Sequence, residues 1–111
     1  MLLNGGYFND MRLLGRKTVE LVTMNHLPAV LKEPDPNFTF GFGLGFRVIT
    51  DVPSTGTLGS VGKYHWGGAA GTIFWVDPKE YLIAVVMIQL RSSPYKLRQQ
   101  MKSLIDRRRI L

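Results

Sequence analysis

Two Ser-x-x-Lys spacings are the places where this chain could supply a nucleophile. On a helix, a lysine three residues after a serine lies one turn away and can take the proton of the hydroxyl. Ser60 and Lys63 lie where a turn is predicted to enter a strand, so this lysine would not stack beneath its serine. Ser93 and Lys96 begin a predicted helix, but Ser93 is expected to act as its N-cap. Five serines and six lysines make chance matches expected, and we interpret neither pair as catalytic.

The remaining polar and glycine-rich candidates do not predict a metal or cofactor site. His26 and His65 have no partner at metal-ligand spacing, and the chain contains no cysteine, so no metal is predicted. The run Gly41 to Gly45 lacks the Lys-Ser/Thr of a phosphate-binding loop and lies inside a stretch of period two. We therefore predict no cofactor.

Residues 64–78 form the stretch with the strongest functional signal. They predict a strand, a glycine hinge, a second strand and an Asp-Pro turn, in the order Tyr-His-Trp-Gly-Gly-Ala-Ala-Gly-Thr-Ile-Phe-Trp-Val-Asp-Pro. The hinge glycines, Gly67, Gly68 and Gly71, leave a bare backbone that another group can approach closely. From the residues alone, an ordinary hairpin that packs its aromatic side chains in the core is an equally good interpretation.

The same stretch resembles the last signature of the serine β-lactamases, penicillin-binding proteins and related esterases. In that superfamily a Lys-Thr-Gly or His-Thr-Gly strand precedes an aromatic-Ile/Val-Asp-Pro turn. Here Trp66-Gly67-Gly68 takes the place of the triplet, and a Trp-x-Gly form is typical of the β-lactamase-like carboxylesterases. Further blocks resemble the C-terminal third of the family in order and cover nearly the whole chain: Met1–Gly6, Arg12–Leu14, Thr18–Leu21, Asn25–Leu27, Gly41–Phe46, Gly59–Ser60 and Phe74–Pro78.

The resemblance implies a role for each residue of the motif strand. Tyr64, Trp66, Gly67 and Gly68 would contact the substrate, and the backbone N–H of Ala69 would form half of an oxyanion hole. In the lactamases a cation at the first motif position meets the carboxylate of the antibiotic, and Trp66 carries no charge. The resemblance therefore implies a small ester or amide substrate rather than a β-lactam.

The resemblance also implies that the nucleophile and the base belong to a region outside this chain. In the family a Ser-x-x-Lys and a Tyr-x-Asn or Tyr-x-x motif lie in the first two thirds, and Tyr7-Phe-Asn9 matches the second only in the wrong place. Residues 1–111 would then be a single partial domain, inactive alone. Two alternatives stay open, a non-catalytic basic binding module and a degenerate remnant.

The predicted elements that position this stretch belong to the α+β class. Period-two patterns predict a strand over 38–49 and an antiparallel meander over 61–66, 71–76 and 81–90. We expect a helical turn ending at Gly6, a helix over 17–25, loops over 31–37 and 51–59, and a helix over 94–109. That last helix should lie on one face of the sheet through the stripe Leu97, Met101, Leu104 and Ile105, with Trp66 on an edge strand.

The charge of the chain is concentrated at its C-terminus. Residues 91–111 contain seven basic side chains and one acidic one, which account for the net charge of +6. Tyr95 is the only aromatic residue there, so the segment does not resemble a nucleic-acid platform, and we predict neither a nucleic-acid nor a membrane partner. The longest apolar run, 82–88, is too short to span a membrane, and residues 1–6 do not resemble a signal peptide. An incompletely covered sheet face should favour self-association.

Overall fold

The computed structural model describes residues 1–28 and 40–110, and it leaves out the side chains of residues 108–110. Its centre is a five-stranded antiparallel sheet in the order β3-β4-β5-β6-β7, with a separate two-stranded hairpin, β1-β2. The strands are Tyr7–Phe8 (β1), Met11–Arg12 (β2), Phe40–Phe42 (β3), Arg47–Ile49 (β4), Tyr64–Gly67 (β5), Ile73–Asp77 (β6) and Leu82–Val86 (β7). The helices are a 3-10 turn at Leu2–Asn4, then Arg16–Thr23 (α1), Val52–Thr55 (α2) and Leu97–Ile110 (α3).

The expected α+β architecture, an antiparallel sheet with a C-terminal helix on one face, is confirmed. The first helical turn ends at Gly5 with a φ of 62°, as its glycine stop predicts. The short helix and the three-stranded meander are present close to their predicted bounds. The predicted loop over 31–37 lies outside the described residues. No helix in the described ranges is both long and apolar enough to cross a membrane.

Each face of the sheet contributes to a hydrophobic cluster. On the face that we call the helix face, Ile73, Trp75 and Ala84 are buried, and Ile105 of α3 packs against them. On the opposite side, the open face, Val48, Tyr64 and Val76 form a cluster that is covered at one end by the 3-10 turn. The motif strand β5 lies between these layers, so its alternate side chains meet different environments.

The single strand predicted over 38–49 is wrong, because its described part is a hairpin. β3 and β4 pair antiparallel, and a bond of 2.7 Å from Gly43 N to Phe46 O closes the turn between them. Gly45 has a φ of 122°, in the left-handed region that glycine accepts without strain. The alternation of apolar and glycine residues continues through this turn, so the period did not reveal the reversal.

The prediction that a second layer packs against the glycines of this hairpin is confirmed at two positions. A side chain at Gly41 would clash with Asn25, and one at Gly43 would clash with the carbonyl of Val22. Hydrogen bonds join the same segments, including one of 2.8 Å from His26 N to Phe42 O. At Gly45 nothing lies nearby, so that glycine serves the turn alone.

The predicted orientation of α3 is wrong at Leu104. This side chain is 59% exposed, whereas Asp106 is buried and accepts a hydrogen bond of 2.5 Å from the buried Nζ of Lys63. Half-buried Arg98 and Lys102 lie on the same side of the helix, one turn apart. A buried ion pair therefore fixes which side of α3 meets the sheet, and the apolar stripe is only partly covered.

The predicted edge position of Trp66 also needs correction. β5 lies between β4 and β6, so it is not an edge strand. Its pairing with β4 ends at His65, whereas its pairing with β6 continues through Gly67. The backbone of Trp66 and Gly67 is therefore paired on one side only.

Two short elements were not predicted. The β1-β2 hairpin turns at Asn9 and Asp10, which both have positive φ, as in the turns that suit hairpins. The predicted loop over 51–59 contains α2, which begins with Pro53 in its first turn. Both elements are too short to show a hydrophobic period.

Candidate active site wall

The glycine segment after β5 is a compact turn with its own hydrogen bonds. Gly68 N donates to Thr72 O at 2.9 Å, and Gly71 N donates to Gly68 O at 3.2 Å. Leu90 N donates to Ala70 O at 2.8 Å and ties the turn to the end of the sheet. Gly71 has a φ of 95°, which a larger residue would adopt only with strain.

Close packing around the turn explains why the two motif positions after Trp66 are glycines. A Cβ at Gly67 would lie 3.0 Å from Thr72 O and 3.2 Å from Cζ of Arg98, and one at Gly68 would clash with the hydroxyl of Thr72. The glycines therefore allow the turn to close tightly.

Arg98 of α3 holds this turn, and sequence reasoning did not identify it. Its guanidinium donates to Thr72 O at 3.1 Å, to Gly71 O at 3.4 Å and to Gly68 O. In the sequence Arg98 is one of several basic residues opposite the apolar stripe, and nothing distinguishes it from its neighbours. Its position fixes the carbonyls of the turn and so the direction of the N–H groups between them.

Trp66 presents an apolar wall beside the turn. Its side chain is 46% exposed, and its ring meets Phe42 edge-on at 5.3 Å. A hollow of about 440 Å³ on the open face is lined by Trp66, Gly67, Gly68, Thr72, Ile73, Phe74, Val85 and Met87. Apart from the hydroxyl of Thr72, its lining side chains are apolar, which suits an uncharged acyl or alcohol group.

The structure places the other two predicted site residues differently. Ala69 is exposed at the tip of the turn, and within the described residues its backbone N–H has no acceptor. Tyr64 is only 2% exposed and packs against Phe46 at 5.2 Å, and burial raises the pKa of its hydroxyl to about 12. The substrate contact predicted for Tyr64 therefore needs correction, because its ring belongs to the core.

The Ser-x-x-Lys pairs do not form nucleophile–base units in the described residues. Lys63 N donates to Ser60 O within a turn, and the ammonium of Lys63 pairs with Asp106 instead. α3 begins four residues after Ser93, so Ser93 is not its N-cap. The hydroxyl of Ser93 instead accepts a hydrogen bond of 3.1 Å from Tyr95 N in a local turn.

The two histidines do not belong to a metal site in the part of the chain that the structure describes. His26 lies after α1 with Nε2 at 2.6 Å from Leu21 O. His65 points to the helix face, away from Trp66. Residues 1–28 and 40–110 contain no group of three or more potential ligands that could hold a metal ion.

Comparison with known proteins gives sequence relatives in bacteria. No family model matches the chain. It is 32% identical over 96 residues to the Escherichia coli K12 protein named "Putative D-alanyl-D-alanine carboxypeptidase", and the match covers 84% of this chain and 20% of that protein. A Mycobacterium tuberculosis protein, Rv1367c, is 33% identical over 97 residues, with 80% of this chain and 24% of the relative covered. The chain thus spans about a fifth to a quarter of these relatives.

Solved structures share the fold over almost the whole chain. EstCE1, described as a hydrolase with promiscuous acyltransferase activity, superposes with a TM-score of 0.69 at 23% identity, over 90% of this chain and 25% of its own. Unliganded simvastatin synthase (LovD) from Aspergillus terreus gives a TM-score of 0.73 at 20% identity, over 95% of this chain and 30% of its own. At these identities the likeness shows a common fold.

Proposed function

Because the chain belongs to the serine β-lactamase and penicillin-binding-protein superfamily, of which it matches a C-terminal segment, we propose that it forms one wall of a hydrolase active site for esters or amides. The observation that carries the proposal is Trp66, an exposed indole at the first position of a glycine motif whose backbone is bare. The nucleophile and the general base belong to the part of the parent enzyme that this chain does not match.

The apolar character of the wall supports neutral substrates over β-lactams. The lining of the hollow beside Trp66 offers contact area and no positive charge for a carboxylate, whereas the neighbouring hollow beside Ala69 is lined by Lys96 and Arg98. The hydroxyl of Thr72 could orient a substrate within this hollow. The backbone N–H of Ala69, which lies beside a neighbouring hollow shared with Gly68 and Gly71, is the second polar group that could do so. A neutral acyl ester matches this combination, because its carbonyl needs a hydrogen-bond donor and its chain needs an apolar surface.

The rigid turn supports the assignment of Ala69 as an oxyanion donor. Arg98 and Gly71 N both donate to Gly68 O, which fixes the peptide that carries the N–H of Ala69 before any substrate arrives. A donor held in place contributes ~3 kcal/mol to transition-state stabilisation, because no reorganisation is needed as the charge develops. Without a nucleophile this donor alone supports no covalent turnover, so the isolated chain should not hydrolyse esters.

The basic-module alternative receives little support from the structure. Arg98 and Lys102 are half-buried on the side of α3 that faces the sheet, and Asp106 beside them is buried. These residues are therefore not available to form a continuous basic surface on solvent. Tyr95 is exposed but lies before the helix begins.

Fluorescence of Trp66 tests the proposal on the isolated chain. Trp75 is completely buried, so acrylamide quenching reports mainly on Trp66. A neutral butyrate ester should reduce the quenching, and benzylpenicillin at the same concentration should have less effect because its carboxylate finds no cation there. Trp66→Phe provides the control that removes the signal. Equal or better protection by benzylpenicillin would contradict the proposed preference.

A further inference from the structure

A second hollow lies on the helix face, between α3 and strands β4 and β5. Its volume is about 280 Å³, and its charged lining consists of Arg47, Lys63, His65 and Lys102. Ser60 and Thr57 add hydroxyl groups to the same walls. Trp66, Gly68 and Ala69 do not line it, so it is distinct from the proposed oxyanion donor.

Among the residues that the structure describes, the charges around this hollow do not balance. Asp106 is the acidic group that pairs there, and Lys63 already occupies it at 2.5 Å. Lys102 makes no hydrogen bond or ion pair within the described residues. The guanidinium of Arg47 stacks on the ring of Phe40 at 3.7 Å, and its buried Nε has no hydrogen-bond partner.

Partly buried cations that have no acidic partner among the described residues destabilise the folded state. The pKa of Lys102 is lowered to about 8, mainly by burial and next by the positive charge of the neighbouring Lys63. Asp106 acts in the opposite direction, and Arg47 and Arg98 lower this pKa further. Burial, and then Lys102, Arg47 and Lys63, lower the pKa of His65 to about 4. A buried N–H without an acceptor adds to this cost.

We propose that this hollow binds a small, doubly charged oxyanion of the phosphate class, held by Arg47 and Lys102. Arg47 and Lys102 have no acidic partner in residues 1–28 and 40–110, and their two positive charges match two negative ones. The fork of a guanidinium also suits two oxygens of one phosphate. Ser60 can donate its hydroxyl proton to a further oxygen. His65 lies where a bound anion would favour its protonated form.

Inorganic phosphate and a phosphate monoester present the same chemistry, and melting experiments on the whole chain distinguish them. At constant ionic strength, phosphate in place of chloride should raise the melting temperature by about 5 °C once its concentration exceeds the dissociation constant tenfold. Glycerol phosphate should give a similar shift if the site is made for an ester, and a smaller one if it admits only the free ion. The shift should shrink as the pH rises through 8, where Lys102 loses its charge.

Matched variants separate this site from general salt effects. Lys102→Gln and Arg47→Gln should each lose the phosphate-dependent shift, while Lys79→Gln, at an exposed turn, should keep it. An equal shift in Lys102→Gln and the wild type would overturn the proposal. If the variants do not fold, NMR can measure the pKa of His65 in the wild type with and without phosphate. Phosphate should raise this pKa well above 4, and an unchanged value would refute binding.

Discussion

Adjacent residues of β5 lie in different chemical environments because their side chains point to opposite faces of the sheet. Trp66 points to the open face, where its indole is half exposed, and His65 points to the helix face among cations. A change of one position along the strand therefore separates an apolar wall from a charged hollow. Tyr64 lies on the same face as Trp66, but it is buried in the cluster with Val48 and Val76 and so takes no part in the proposed substrate wall.

The environment of His65 predicts a pH dependence of stability. Below pH 6.5 the unfolded chain protonates this histidine, whereas the folded chain does so only near pH 4. The unfolded state then binds more protons, so the free energy of unfolding should fall as the pH drops from 6.5 to 4. Melting curves across this range should show a weaker dependence in His65→Gln than in the wild type. Identical slopes would mean that His65 stays charged or exposed in the fold.

At the scale of elements, α3 is fixed by polar contacts more than by its apolar stripe. The Lys63–Asp106 pair joins it to the start of β5, and Arg98 joins it to the glycine turn. Ile105 is the apolar residue that packs on the buried cluster around Trp75. Loss of the ion pair would therefore disturb both the helix and the turn that carries Ala69.

Asp106→Ala should destabilise the fold by about 3–5 kcal/mol, because it leaves the buried ammonium of Lys63 without a partner. The double variant Lys63→Met, Asp106→Leu should recover most of that loss. Glu20→Gln, which breaks exposed pairs with Arg16 and Lys17 that solvent screens, should cost far less than Asp106→Ala. Urea titration measures all three. A double variant as unstable as Asp106→Ala would show that the charge is not the cause.

The sequence predicted most elements but not the way they meet. Period two located the strands of the meander, and the glycine stop at Gly5 located the end of the first turn. The hairpin at Gly43 to Phe46 was missed because its alternation continues through the turn. The facing side of α3 and the role of Arg98 were missed because both depend on contacts between distant segments, which periodicity does not contain.

Across the whole molecule, large apolar side chains stay exposed on the open face and on α3. On the open face Val85 and Met87 are 63% and 79% exposed, beside Trp66 and Phe74. Leu104 on α3 is exposed as well. In the relatives the matched segment is about a fifth to a quarter of the protein, so other parts of a parent enzyme could cover these surfaces.

The isolated chain should self-associate or bind hydrophobic dyes through the open face. An apolar patch of ~400 Å² offers roughly 10 kcal/mol toward association before the entropy cost is subtracted. Sedimentation at micromolar concentration should show oligomers, and Val85→Glu with Met87→Glu should reduce them. Lys79→Gln serves as the control. A wild-type monomer with a cooperative melt and no dye binding would show that the domain is self-sufficient.

Backbone-amide NMR can show whether the Trp66–Thr72 segment is the substrate wall of an ester hydrolase. A neutral butyrate ester is titrated into the labelled chain, and benzylpenicillin is titrated in parallel. The ester should shift the amides of Gly68, Ala69 and Thr72, and Trp66→Lys should transfer this response to benzylpenicillin. Shifts confined to other parts of the chain, or a stronger response of the wild type to benzylpenicillin, would contradict this assignment.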